Sequence, residues 1–345
     1  MKRFLFPAVL TTILMTGCGG EEKQVVKVFN WGDYIDPQTN MLFTEETGID
    51  VLYEEYPTNE EMYAKISGGN ARYDVLVPSD YMIEKLIKED MLAEIDVNDL
   101  ENYKFIDKDF KSLPFDPEDK YSVPYSWGTM GIIYNTTMIE DDIDEWADLW
   151  NPEYAKKMFM YDSERESLMV ALKKLGYSMN STDPLELEEA KQELIAQKPL
   201  VLAYVVDEGK GKMINEEAAM MVAWAGDADL MISENPDLKY VLPKEGTNLF
   251  VDAMVVPKNA ENYDNALAYI NFMTRPDIAA MNMSYLGYST PSTAARQLLP
   301  EEMRDSEVAY PDPIPFETME MFVDPSEVAD VYSRIWTEVK ASTGE

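Results

Sequence analysis

Short β-branched runs alternate with amphipathic stretches along most of the chain, the pattern of strands and helices taking turns. Val25 to Phe29, Ile49 to Tyr53 and Asp74 to Val77 read as buried strands. Between them, Pro37 to Thr47 predicts a helix stopped by Gly48, and Glu60 to Ile66 a helix capped by Asn59 and ended by Gly68-Gly69. Pro78-Ser79-Asp80 follows the third strand directly and offers Ser79 or Asp80 as the cap of a helix from Tyr81 to Glu89. A β-α-β-α-β-α order demands a mainly parallel sheet with crossover connections, and ligands of such sheets gather beyond the carboxyl ends of the strands. Residues just after strands are therefore the first candidates for chemistry.

A second series starts near Tyr134: helix Ile143 to Trp150, strand Met158 to Tyr161, helices Glu166 to Leu175 and Leu185 to Gln197, and strand Leu200 to Val206. Strand Ala218 to Ala223, helix Ala228 to Ser233, strand Leu249 to Val256 and helix Tyr263 to Met273 continue it. No repeat of fixed period is present. Two α/β lobes with a cleft between them are the economical architecture.

The amino terminus is of another kind. Lys2 and Arg3 precede an apolar stretch, Phe4 to Met15, shorter than the ~20 residues of a membrane-spanning helix, which reads as a secretory signal. Leu14-Met15-Thr16-Gly17-Cys18 closes it and resembles the bacterial lipobox, with Met15 where Leu, Val or Ile is usual. Residues 1–17 are then a lipoprotein signal peptide, Cys18 the lipidated residue and 18–24 a tether. A plain signal peptide with an incidental cysteine is the alternative.

Charge and composition narrow the chemistry. Lys and Arg number 29 against 65 Asp and Glu, a net charge of −36 with no basic block, which disfavours nucleic acid as a partner. There is no histidine, so a Ser-His-Asp triad, a Cys-His pair and a histidine-ligated zinc are excluded. A single cysteine excludes an intrachain disulfide and a Cys-rich zinc site. Gly209-Lys210-Gly211-Lys212 lacks the spacing of a phosphate-binding loop, and no segment matches the EF-hand pattern.

Three positions after strands combine an aromatic ring with an acid or hydroxyl: Trp31-Gly32-Asp33-Tyr34, Ser79-Asp80-Tyr81 and Trp224-Ala225-Gly226-Asp227. Asp252 lies inside an apolar strand two residues after Phe250, so both face one side of the sheet, and a carboxylate there needs compensation of its charge. Together these residues suit a cation: carboxylates pair with ammonium groups while rings hold methylenes and attract positive charge. Plainer roles are open to each. Trp31 and Trp224 could fill a core, Ser79 could cap a helix, and Asp33 and Asp227 could serve turns. The methionines, 23 in number, suit an adaptable core. Catalysis by carboxylates alone, as in glycoside hydrolases, also stays open.

FNWGDYI at 29–35, TNEEMYAKI at 58–66, YDVLVPSDYMIEKL at 73–86, FDPEDKYSVPYSWGT at 115–129, WADLWNPEY at 146–154 and GYSTP at 287–291 resemble the spermidine/putrescine-binding proteins of bacterial ABC importers. The resemblance runs from about Val28 to Ala341. It implies a periplasmic-binding-protein fold of type II: two α/β lobes, a hinge and a ligand cleft between the lobes. It assigns 25–128 with 252–296 to the first lobe and 129–251 with 297–345 to the second. By the same resemblance Trp31, Tyr34, Tyr81, Trp224 and Tyr288 are aromatic walls, with Phe250 where the family has a further tryptophan. Asp33, Glu166 and Asp252 would bind amines, with Ser79 as a hydroxyl or backbone partner. Ser163 stands at a position often acidic in the family, with Asp162 one step earlier. Val206 replaces a hydroxyl beside Asp207, and the family's glutamine near the C-terminus has no clear counterpart around Met321 to Asp324. The implied protein is a monomeric receptor without cofactor or metal that hands a polyamine to permease subunits. A receptor of the same fold for thiamine or Fe3+ is the nearer alternative.

Overall fold

The computed structural model describes residues 24–69, 71–311 and 317–343. The predicted leader, Cys18 and all but the last residue of the tether lie outside the described residues.

Nine strands appear among the described residues: β1 (Val25–Trp31), β2 (Asp50–Tyr56), β3 (Val75–Leu76), β4 (Ser122–Asn135), β5 (Met158–Tyr161), β6 (Val201–Val205), β7 (Met220–Trp224), β8 (Leu238–Val241) and β9 (Leu249–Val255). They hydrogen-bond in the order β2-β1-β3-β9-β4-β7-β5-β6, with β8 also on β4. β1 is parallel to β2 and β3, and β5 is parallel to β6 and β7. β9 and β4 join these two parallel halves by antiparallel pairing. The mainly parallel sheet expected from the element order is thus found as two parallel blocks with an antiparallel seam.

β4 forms that seam. Its 14 residues are all buried, and at about 3.3 Å per residue they reach roughly 45 Å. Ser122 to Thr129 pair with β9, and Met130 to Asn135 pair with β7 or β8. The register shifts between Pro124 and Ser126, a bulge that accommodates a proline, which has no N–H for the ladder.

The helices of the parallel blocks follow the sequence signals closely. Helix Pro37–Thr47 opens on Asp36, whose carboxylate accepts the Gln38 N–H at 2.9 Å, and closes on Gly48 in the left-handed conformation. Helix Asn59–Ser67 is capped by Thr58, not by Asn59: Thr58 Oγ1 accepts from Glu61 N at 3.1 Å. Ser79 takes the cap position of helix Asp80–Lys88 without a side-chain capping bond. The helix expected over 143–150 is a 3-10 turn, Trp146–Trp150, because Asp144 and Glu145 spend their N–H groups on the Asp148 carboxylate.

A single large core underlies the sheet, and methionines such as Met130, Met158, Met169 and Met220 are fully buried in it. A smaller cluster forms where the C-terminal helix Ala329–Ala341 packs on helices Glu164–Lys174 and Pro184–Gln197. Among the described residues no helix is long and apolar enough to cross a membrane.

Candidate functional site

The carboxyl ends of the parallel strands from both blocks point into one cavity of about 1160 Å³. It is lined by all eleven residues singled out from the sequence: Trp31, Asp33, Tyr34, Ser79, Tyr81, Ser163, Glu166, Trp224, Phe250, Asp252 and Tyr288. Ten acidic side chains face it and only two basic ones, Arg165 and Lys210.

Aromatic rings run along it edge to face. Tyr125 meets Tyr34 at 5.6 Å, Tyr34 meets Tyr288 at 5.9 Å, and Tyr288 meets Phe250 at 6.0 Å between ring centres. Phe250 meets Trp224 at 5.2 Å and Trp224 meets Tyr161 at 6.3 Å. Two glycines make room for this row. A Cβ on Gly128 would lie 2.6 Å from the Phe250 ring, and one on Gly226 would lie 2.8 Å from Tyr288. Trp31 sits apart, its indole N–H donating to the Val77 carbonyl at 2.9 Å and its ring against Tyr56. Trp31 and Trp224 are half-buried at the cavity wall, so neither is a plain core filler.

Asp252 is 5% exposed. The Tyr34 hydroxyl donates to its Oδ2 at 2.6 Å, while its Oδ1 is buried without a hydrogen-bond partner among the described residues. Burial pushes its pKa up to about 6, against the Tyr34 hydrogen bond, which pulls it down. Burial also keeps the Tyr34 hydroxyl protonated far above its ordinary range, so it remains a donor. An unsatisfied carboxylate oxygen in an apolar wall is costly, and a cation with N–H donors would remove that cost.

Glu166 faces the cavity from the first turn of helix Glu164–Lys174, where the helix dipole favours negative charge. The Ser163 hydroxyl donates to its carboxylate. Asp33 is exposed at the cavity edge with φ 52, a left-handed conformation that aspartate tolerates better than most residues. The stretch Met321 to Asp324 contributes Phe322 to the lining, and Asp207 lines it while Val206 does not.

Asp80, Tyr161, Arg165 and Lys210 also line the cavity, though the resemblance names none of them as a site residue. Asp80, expected as a cap or as the acid of the Ser79-Asp80-Tyr81 pattern, is 1% exposed and takes the Tyr81 N–H at 2.7 Å and the Val251 N–H at 3.4 Å. Burial, helped by the nearby Asp252 charge, pushes it up to about 8. Tyr161 ends a strand as Trp31 does and is followed by Asp162 and Ser163, an aromatic–acid–hydroxyl run of the same kind. Arg165, between Ser163 and Glu166, reaches across the cavity: its guanidinium carbon is 3.6 Å from the centre of the Tyr81 ring, and Nη2 is 3.7 Å from Glu60 Oε1. Lys210 pairs with Asp227 at 3.1 Å. Both cavity cations are therefore already matched to carboxylates. Among the described residues no group of three or more His, Cys, Asp or Glu is placed to hold a metal ion.

Two α/β blocks joined at a seam, with a ring-lined acidic cleft between them, define a two-lobed solute-binding protein of type II with a hinge and an interlobe cleft. The chain belongs to the bacterial extracellular solute-binding protein family, whose profile matches residues 42–309. It is 37% identical over 342 residues to the spermidine/putrescine-binding periplasmic protein of Salmonella typhimurium, covering 99% of this chain and 98% of that one. Among solved structures, the spermidine/putrescine ABC transporter substrate-binding protein PotD of Streptococcus pneumoniae, crystallised with calcium and HEPES, superposes with a TM-score of 0.84 at 43% identity. That match covers 92% of this chain and 98% of the pneumococcal one. The TpPotD lipoprotein of Treponema pallidum superposes with a TM-score of 0.83 at 25% identity, covering 92% of this chain and 99% of its own.

Proposed function

We propose that this chain is the extracytoplasmic substrate-binding protein of an ABC importer, capturing spermidine or putrescine and delivering it to the permease. The observation that carries the reading is the cavity itself: ten acidic side chains and a row of rings, with both resident cations already paired. A protonated oligoamine supplies what such a site lacks, charge for the carboxylates and methylenes for the ring faces. In this reading Asp252 and Glu166 grip nitrogens, Asp33 and Ser79 assist, and Trp31, Tyr34, Tyr81, Trp224, Phe250 and Tyr288 wall the chain, with Ser163 setting charge beside Glu166. No bond is made or broken, and the protein acts as a monomer.

The lobes divide as 25–128 with 252–296 and 129–251 with 297–345, a partition supported by the change of partner along β4, from β9 up to Thr129 to β7 and β8 from Met130 on. Cys18 carries the lipid that holds the protein at the membrane; the lipobox-like sequence supports this, as does the lipoprotein nature of the Treponema relative. Calorimetric titration with putrescine and spermidine tests the function. Stoichiometric heat with either amine is expected, weakening as salt rises. Heat with neither, and binding of thiamine or Fe3+ or turnover of a glycoside instead, would overturn it.

A further inference from the structure

Lys210 differs from every other lining residue in being a primary ammonium already seated on two carboxylates. It rises from helix Glu208–Ile214, and its Nζ lies 3.1 Å from Asp227 Oδ1 and 3.3 Å from Asp207 Oδ1. Asp227 stands in the first turn of helix Ala225–Glu234, directly after the Trp224 wall. The site borders the ring row at the open edge of the cavity: the Asp227 side chain is 19% exposed and that of Asp207 87%. Gly226, next to Asp227, lies against the Tyr288 ring, and the charges of Asp227 and Asp207 both act on the hydroxyls of Tyr161 and Tyr288. A lysine side chain is four methylenes ending in an ammonium, chemically the aminobutyl arm of an oligoamine.

We propose that Lys210 is a specificity-determining residue: its own aminobutyl group fills the ammonium station formed by Asp207 and Asp227, so the native cleft receives a diamine along Asp252 and Glu166 and disfavours a third ammonium at this end. A free triamine reaching this end meets a like charge 3.1 Å from the carboxylate it would need. The inference rests on the polyamine reading of the same cavity.

The test is calorimetric titration of putrescine and spermidine into the wild type and into Lys210→Gln, with Lys210→Met as a second variant of similar bulk. Vacating the station should raise the ratio of spermidine to putrescine affinity by about tenfold. Lys210→Arg, which keeps the charge, should leave the ratio near that of the wild type, and adding Asp227→Asn to Lys210→Gln should remove the gain. A wild type that binds amines, with a ratio unmoved in both uncharged variants, would overturn this inference and leave the polyamine reading standing. A wild type that binds neither amine would overturn that reading, and this inference with it.

Discussion

Asp252 concentrates the chemistry of the cleft in one side chain. Burial raises its pKa to about 6, and an ammonium needs its ionised form, so protons and ligand compete for the same oxygen. Diamine affinity should therefore hold above about pH 7 and fall by about tenfold on going to about pH 5, a dependence that Asp252→Asn abolishes while weakening binding at neutral pH. Titration calorimetry across that range checks it; an affinity flat down to about pH 5 would mean that Asp252 does not meet the charge. The unliganded fold shows the opposite sign from a salt-bridged carboxylate. Because the folded pKa lies above the unfolded one, the folded chain holds the proton better, and this contribution to stability is lost as pH rises from about 4 to about 6. Ser163 sets the second residue-scale expectation. Its hydroxyl already donates to Glu166, so Ser163→Asp replaces a donor with a charge. Titrations of both amines should show one strengthened more than the other, and equal effects would remove Ser163 from the ligand's surroundings. Asp252 and the aromatic–acid pairs were legible as residues because each breaks a local rule or follows a strand. Arg165 and Lys210 were not, because a helix-surface arginine and a glycine-flanked lysine look ordinary until the fold turns them inward.

At the scale of elements, local signals read well where one helix or strand carries its own punctuation. Pro37 to Thr47, bounded by Asp36 and Gly48, and Tyr263 to Met273, bounded by Pro276, form the helices their patterns predict. Thr58 and Asn59 show where such reading slips by one. Thr58 caps the helix, which frees Asn59 to donate to the Tyr81 hydroxyl at 2.9 Å, holding a cavity ring. Thr58→Ala should cost about 1 kcal/mol of stability with little change in amine affinity. Asn59→Ala should lower affinity, and denaturant unfolding beside calorimetry separates the two; matching profiles for both variants would contradict the division of labour. β4 escapes hydrophobic patterning altogether. Gly128, Gly131, Pro124, Ser126 and Thr129 interrupt it, yet every residue is buried, because the strand is covered on both faces and its glycines admit the Phe250 and Tyr240 rings. The antiparallel seam is a tertiary arrangement that no local window contains.

The whole molecule is an acidic body whose two blocks meet across the cleft. Arg165 makes one of those contacts, lying between Tyr81 and Phe322 with Glu60 nearby. A contact made only when the lobes are together biases the hinge toward closure, and the bias can be no larger than the interaction supplying it. Arg165→Ala should therefore give a larger radius of gyration in solution scattering without ligand, and weaker binding of both amines. A variant as compact as the wild type, with unchanged affinity, would show that the contact is incidental to closure. The lobed architecture was legible in the alternation of strands and helices; the antiparallel seam that joins the two blocks was not. A structure of the protein saturated with spermidine tests the central claim most directly. Ligand nitrogens should lie within hydrogen-bonding distance of Asp252 and Glu166, with the intervening methylenes along the rings of Tyr34, Tyr288, Phe250 and Trp224. An amine bound elsewhere, leaving both carboxylates untouched, would contradict it.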